Sequence, residues 1–326
     1  MNKISGLALL SVLAMAGCSG GGGDGGGTSA AVTSPITTPA ASSVSGVAAK
    51  GLVKQAKVLV CRIVDGAPEA DATCASGTTG TDGSFTVKMA DGYTGPALVK
   101  VVAGTGSTMM DEITGTDVPY SMTMRAVVSA VSGTTTVNVT PFSEMAANAM
   151  ALSMPMDATK ISQANGAVQN MMTGLGIDLS VMPMMDLKND GMDPTKLGDE
   201  ANMIKQLARV AMAAKNSSLL KDANGVACNA TGTTTSQQFA CAVAAMASVM
   251  TSYVSSDPAK VANMMAALNA QNVTNVTMPV RMADGTISMQ IADMTSLASM
   301  QTAMQNAGMT VNTAADTTNA MMGRMH

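Results

Sequence analysis

Few side chains in this chain could do chemistry. There is one histidine, His326, at the end of the sequence. Terminal residues are usually mobile, so its position argues against histidine-based triads and zinc hydrolase sites. No G-x-S-x-G elbow or Walker loop occurs. The glycine run Gly20–Gly27, interrupted by Asp24, has no strand before it and no helix after it, so it is not a phosphate cradle. A carboxylate pair could hydrolyse glycosides, but a chain with no Trp and three Tyr makes a poor sugar platform. Asp186-Leu187-Lys188-Asn189-Asp190-Gly191 opens with the rhythm of a calcium loop. Lys188 takes a ligand position, however, and Leu197 stands where the closing Glu belongs. A solvated loop between helices is the expectation there, and no cofactor is expected anywhere.

Sulfur is the exception. The chain has 33 Met against 17 Leu, whereas Leu normally leads. The plain reading is that Met replaces Leu as an adaptable core filler. A second reading is that clusters such as Met154/Met156, Met182/Met184/Met185 and Met321/Met322/Met325 offer soft thioethers to Cu(I) or Ag(I). A third is a reversible oxidant sink. Burial separates them, because packing hides the sulfurs while capture needs several exposed and convergent. Of the metal candidates, Met182, Met184 and Met185 are the densest group.

The amino terminus supplies an address. One lysine, Lys3, is followed by an apolar run from Ile4 to Ala16 and then Gly17-Cys18, the parts of a secretory signal. The run is about 13 residues, too short for the roughly 20 that a spanning helix needs. Met15-Ala16-Gly17-Cys18 resembles the lipobox of bacterial lipoproteins, with Met where Leu is usual. The resemblance implies cleavage before Cys18 and acylation of its thiol, each buried CH₂ contributing about 0.8 kcal/mol of membrane affinity. Ser19, with no Asp at that position, resembles lipoproteins sent to the outer membrane, facing the periplasm or the cell surface. Residues 18–43 are Gly-rich and then Ser/Thr-rich, a composition that predicts a flexible tether.

With Cys18 assigned to lipid, four cysteines remain: Cys61/Cys74 and Cys228/Cys241, each pair thirteen residues apart. In an oxidising compartment the simple reading is two local disulfides; four buried thiols are the other. No His lies near either pair, which argues against zinc.

Composition bounds the rest. About 280 residues can fold, enough for two domains. Hydrophobic residues at 47% allow a core, while 12% charged residues leave a surface of Thr, Ser, Asn and Gln. A net charge of −4 excludes a broad basic face for nucleic acid or anionic lipid. Few aromatics argue against base stacking, and no later apolar run is long enough to span a membrane.

From 44 to 139 the period is two. Val58 to Ile63, Phe85/Val87/Met89, Leu98–Val102, Tyr120/Met122/Met124 and Thr135/Val137/Val139 read as short strands. Turns at Asp65-Gly66, Asp82-Gly83, Asp91-Gly92 and Thr114-Gly115 separate them. Such spacing predicts a β-sandwich. Gly46-Val47, Gly51-Leu52-Val53, the Ala56/Val58/Val60 alternation and Thr81-Asp82-Gly83-Ser84-Phe85 resemble carboxypeptidase-regulatory-like domains, over Val44 to Gly104. The resemblance implies a transthyretin- or Ig-like sandwich that acts as a spacer or binding module.

From 140 to 311 the period is helical. Thr140-Pro141, Asp157 and Asp257-Pro258 are helix starts. Apolar stripes follow: Met145/Ala149/Leu152, then Ile161/Ala164/Val168/Met171/Leu175, then Met203/Leu207/Val210/Ala214. Two more run Phe239/Val243/Met246/Met250/Tyr253 and Val261/Met264/Met265/Leu268. Residues 275–291 read as a β-hairpin, 294–308 as a last helix, and 312–326 as a frayed tail. The Thr135–Met145 junction resembles a strand-to-helix hand-over in uncharacterised proteobacterial lipoproteins, which implies no activity. The expectation is therefore an α+β, two-domain protein: a signal over 1–17, the tether, the sandwich, and a mainly helical domain with one hairpin. Its expected role is that of a non-catalytic envelope or surface lipoprotein for binding, adhesion or structure. Its partners would be the membrane, through lipid, and an envelope protein, with no nucleic acid. The alternative is a Met-rich Cu(I)-binding or oxidant-scavenging protein.

Overall fold

Strands dominate the first part of the chain and helices the second. The computed structural model describes residues 41–89, 92–175, 177–186, 194–252 and 254–293. The signal, Cys18, the tether to 40, the calcium-like loop from 187, Tyr253, the expected last helix and the tail lie outside them. In chain order the first strands are β1 (Ser42–Val47), β2 (Val53–Lys54), β3 (Lys57–Val64), β4 (Ala67–Pro68), β5 (Ala75–Thr78) and β6 (Ser84–Met89). Then come β7 (Ala97–Val102), β8 (Thr108–Met110), β9 (Asp117–Pro119), β10 (Thr123–Val128) and β11 (Thr134–Thr136). Helices α1 (Pro141–Ala151) and α2 (Ala158–Thr173), strand β12 (Met185–Asp186), and helices α3 (Pro194–Asn216) and α4 (Thr235–Ala247) follow. The described part closes with β13 (Met250–Ser252), β14 (Ser255–Ser256), α5 (Pro258–Asn269), β15 (Asn275–Arg281) and β16 (Ile287–Asp293). The protein is thus mixed α+β.

The strand-rich part forms three sheets, ordered β11-β1-β6, β10-β7-β3-β4 with β5 also on β3, and β2-β8-β9. β6 shows the period-two logic: Phe85, Val87 and Met89 are buried while Thr86 and Lys88 face water. The turn before it works because Gly83 sits at φ +71°, a conformation that suits glycine. β3 departs from alternation. Val58, Leu59, Val60 and Cys61 are all buried, so both faces of the strand are covered, while β7 and β5 pair along its edges.

Helix starts follow local hydrogen bonding. Thr140 accepts from the Ser143 amide and Ser143 closes the box with the Thr140 amide. Asp157 accepts from the Lys160 amide, and Asp257 from the Ala259 and Lys260 amides. Thr234 and Gln237 make a second capping box at α4, a pattern not read from the sequence. Residues 275–293 form the expected hairpin, β15 antiparallel to β16, with β12 parallel to β15 on the other side.

Some elements end sooner than the patterns suggest. α4 stops at Ala247, so Met250 belongs to a short strand, though it stays buried. α2 stops at Thr173, with Met172 fully buried and Met171 half-buried. β10 begins at Thr123, so Tyr120 and Met122 precede it. Tyr120 is held instead by its hydroxyl, which donates to the Val101 carbonyl at 2.9 Å; burial pushes its pKa up. Apolar periodicity continues past these ends because side chains beyond a helix or strand still meet the core.

One hydrophobic cluster runs from Val44 in β1 to Leu268 in α5, joining strands and helices. Fifteen methionines, from Met89 to Met278, are buried. No helix among the described residues is long and apolar enough to cross a membrane.

Candidate functional site

Both cysteine pairs are disulfides. Cys61 lies in β3 and Cys74 just before β5, where the antiparallel register sets Val60 opposite Ala75 and so brings the two cysteines side by side, Cα–Cα 4.4 Å. Cys228 and Cys241 tie the loop after α3 to α4, Cα–Cα 5.4 Å. The Asp71 carboxylate lies within 4.8 Å of both sulfurs of the first pair. Those sulfurs are bonded to each other and Asp71 pairs with Lys100, so the trio is not a metal set in this state. Met184 is fully buried, Met182 is half-buried and packs against the core, and Met185 opens β12. A thioether at the depth of Met184 packs as hydrocarbon.

Several charges are engaged in holding the fold. Lys50 and Glu112 form an ion pair at 2.9 Å with each side chain 1% exposed. Glu112 also accepts from the Gly51 amide, and the Lys50 ammonium lies 4.6 Å from the centroid of the Phe239 ring on α4. The Glu112 carbonyl accepts from the Thr277 amide of β15 at 2.7 Å. This buried knot joins the strands to both α4 and the hairpin. Such a pair is costly to break from one side, since the remaining charge is stranded.

Asp82 pairs with Arg281 across the chain. Burial pushes the Asp82 carboxyl up, but the Ser84 hydroxyl and amide and the Arg281 guanidinium outweigh it and hold it below the usual range. Hydrogen bonding to Arg62 lowers Glu69 likewise. Lys205 and Arg209, one turn apart on α3, are both pushed down by burial, Lys205 also by the charge of Arg209.

Three clefts are lined by described residues. One of about 560 Å³ lies between α4, α5 and the 219–225 loop, with Leu219, Ala244 and Met264 on its walls and Lys221 and Lys260 among its polar residues. One of about 450 Å³ lies between the Asp82 turn and the hairpin, near Leu52, Thr286 and Met289. The third, about 490 Å³, lies between β10, the β11 segment, α1 and α2. Its walls include Val127, Thr136, Asn138, Asn165, Gln169 and Leu179, and none of the described residues lining it carries a charge.

At this third cleft the outer edge of β10 is closed by helix side chains. Glu144 accepts from the Arg125 amide at 2.7 Å, Ser143 donates to the Arg125 carbonyl at 2.8 Å, and Asn165 donates to the Val127 carbonyl at 3.0 Å. Glu144 also pairs with the Arg125 guanidinium. An uncovered edge strand invites foreign pairing; here α1 and α2 prevent it. Sequence reading missed this edge and the Lys50–Glu112 knot, because each joins residues far apart in the chain. The one local sign was the acid in the first turn of α1, where the helix dipole favours it. No protein family, curated protein or solved structure matches this chain.

Proposed function

We propose that the chain is a lipid-anchored envelope protein, held to the outer membrane through Cys18, whose folded body binds a partner and does not catalyse. The cysteine count carries the reading: the two disulfides use four of the five cysteines, and Cys18 is left over. Disulfides persist in oxidising compartments, and the segment before Cys18 has the composition of an export signal. Within this reading 44–139 is a carboxypeptidase-regulatory-like, transthyretin- or Ig-like sandwich and 140–311 a helical domain. The Asp82-Gly83 turn and the buried Phe85 support that assignment. The ion pairs Lys50–Glu112, Arg125–Glu144 and Arg281–Asp82, and a neutral cleft, support binding over catalysis. The burial of fifteen methionines supports packing over metal capture or scavenging.

Labelled palmitate fed to cells expressing the full chain tests the anchor. Label and protein should co-fractionate with membranes, and Cys18→Ser should lose both. A Cys18→Ser protein that keeps the label and the membrane fraction sinks the proposal.

A further inference from the structure

We propose that the open edge of β11 docks an extended, uncharged segment of a partner protein, which joins the β11-β1-β6 sheet as a fourth strand; this rests on the binding role above and names its partner class.

β11 runs parallel to β1, with Ser43 opposite Thr134 and Ser45 opposite Thr136. The Val137 and Val139 amides donate inward to the Ser45 and Val47 carbonyls, and the Gly133 carbonyl accepts from Ser43. In a parallel ladder alternate residues direct both backbone groups to the same side. The N–H and C=O of Thr134, Thr136 and Asn138 therefore face away from β1. Thr134 and Thr136 are exposed, and among the described residues β11 pairs with no other strand. Five residues span about 16 Å of edge, the length of an ordinary strand.

The contrast with β10 is what makes this edge informative. Both strands border the same cleft, and at β10 three helix side chains already occupy the Arg125 amide and carbonyl and the Val127 carbonyl. The cleft's amide side chains are also engaged: Asn138 bridges the Val47 amide and the Val181 carbonyl, while Gln169 bridges the Ile177 carbonyl and the Leu179 amide. The outward β11 backbone from Thr134 to Asn138 pairs with no strand among the described residues, and what complements it is another extended backbone. The neutral walls choose the chemistry of the occupant. A charge brought into a cleft without a countercharge loses hydration and gains no partner, so the segment is uncharged, with small or apolar side chains toward Val127 and Leu179.

The test uses the full-length protein in detergent and a displayed library of nine-residue segments drawn from Ser, Thr, Ala, Val, Gly and Asn. The best binder is synthesised and its affinity measured by fluorescence anisotropy. Thr136→Pro removes only an outward N–H, and it should weaken binding at least tenfold while circular dichroism stays unchanged. Methylating alternate amides of the peptide should weaken binding to the unaltered protein tenfold in one phase and little in the other, a result independent of how the proline variant folds. No enriched binder, or equal affinity for both methylation phases, overturns the proposal. A dimer on sedimentation that the peptide disperses overturns it too, since the occupant is then a second copy. Palmitate label that survives Cys18→Ser while the edge still binds would sink the anchor alone; label that is lost in Cys18→Ser, with no binding at the edge, would sink the edge alone.

Discussion

The strand-rich and helix-rich parts of this protein hold their polar groups in different ways. The strands rely on partners distant in sequence: Lys50 meets Glu112 across 62 positions and Arg281 meets Asp82 across 199. The helices rely on neighbours, with Thr140, Asp157, Thr234 and Asp257 each capping an amide two or three residues on. Where the helical part half-buries cations, at Lys205 and Arg209, no ion pair joins either to a carboxylate among the described residues, and partial burial lowers both pKa values. Local bonds form as soon as the helix does. Distant pairs exist only in the finished fold, so they report on its completeness.

The largest break in that contrast should come at the buried knot. Glu112→Gln leaves Lys50 charged and without its carboxylate, and should cost about 3–5 kcal/mol in urea unfolding. Replacing both partners, Lys50→Met with Glu112→Leu, should cost far less, because buried pairs are often matched by apolar residues of similar volume. If the single and the double variant lose the same stability, the ion pair is not what holds the junction.

A smaller effect sharpens the comparison, because each part carries one disulfide with the same sequence separation. Loop entropy alone assigns both the same contribution, up to about 3 kcal/mol. Cys61→Ala/Cys74→Ala and Cys228→Ala/Cys241→Ala should therefore shift the unfolding midpoint by similar amounts. A gap above about 1 kcal/mol would mean that native packing or the unfolded state, not loop length, sets the value.

The smallest expected effect is at Asp82. Its folded pKa is depressed, so its contribution is full above the unfolded value of about 3.9 and fades as pH falls through the lower folded value. Asp82→Asn should cost about 1–2 kcal/mol at pH 7, and the difference from the unaltered protein should shrink away as the pH falls below the lowered folded value. A difference that persists there would assign the loss to packing.

Much of this was legible in the residue pattern. The alternation of Phe85, Val87 and Met89 specified β6 because a strand faces one core, and Asp157 and Asp257 specified helix starts because capping needs only nearby amides. The ends of α4 and β10 were not legible, since Met250, Tyr120 and Met122 are apolar for the sake of a core they meet from outside those elements.

The sequence by itself determined the export-like leader, the spacing that closes the Cys pairs, the helix starts and the hairpin. All of these depend on residues within a few turns of one another. Only the tertiary structure decided that Lys50 and Glu112 are buried together, that fifteen methionines lie in the core, and that helix side chains bond the outer edge of β10 while β11 pairs outward with no strand among the described residues. Those outcomes depend on which distant segments meet. Helix and strand periods decide which side chain turns inward; what it finds there is set by the packing of the whole chain.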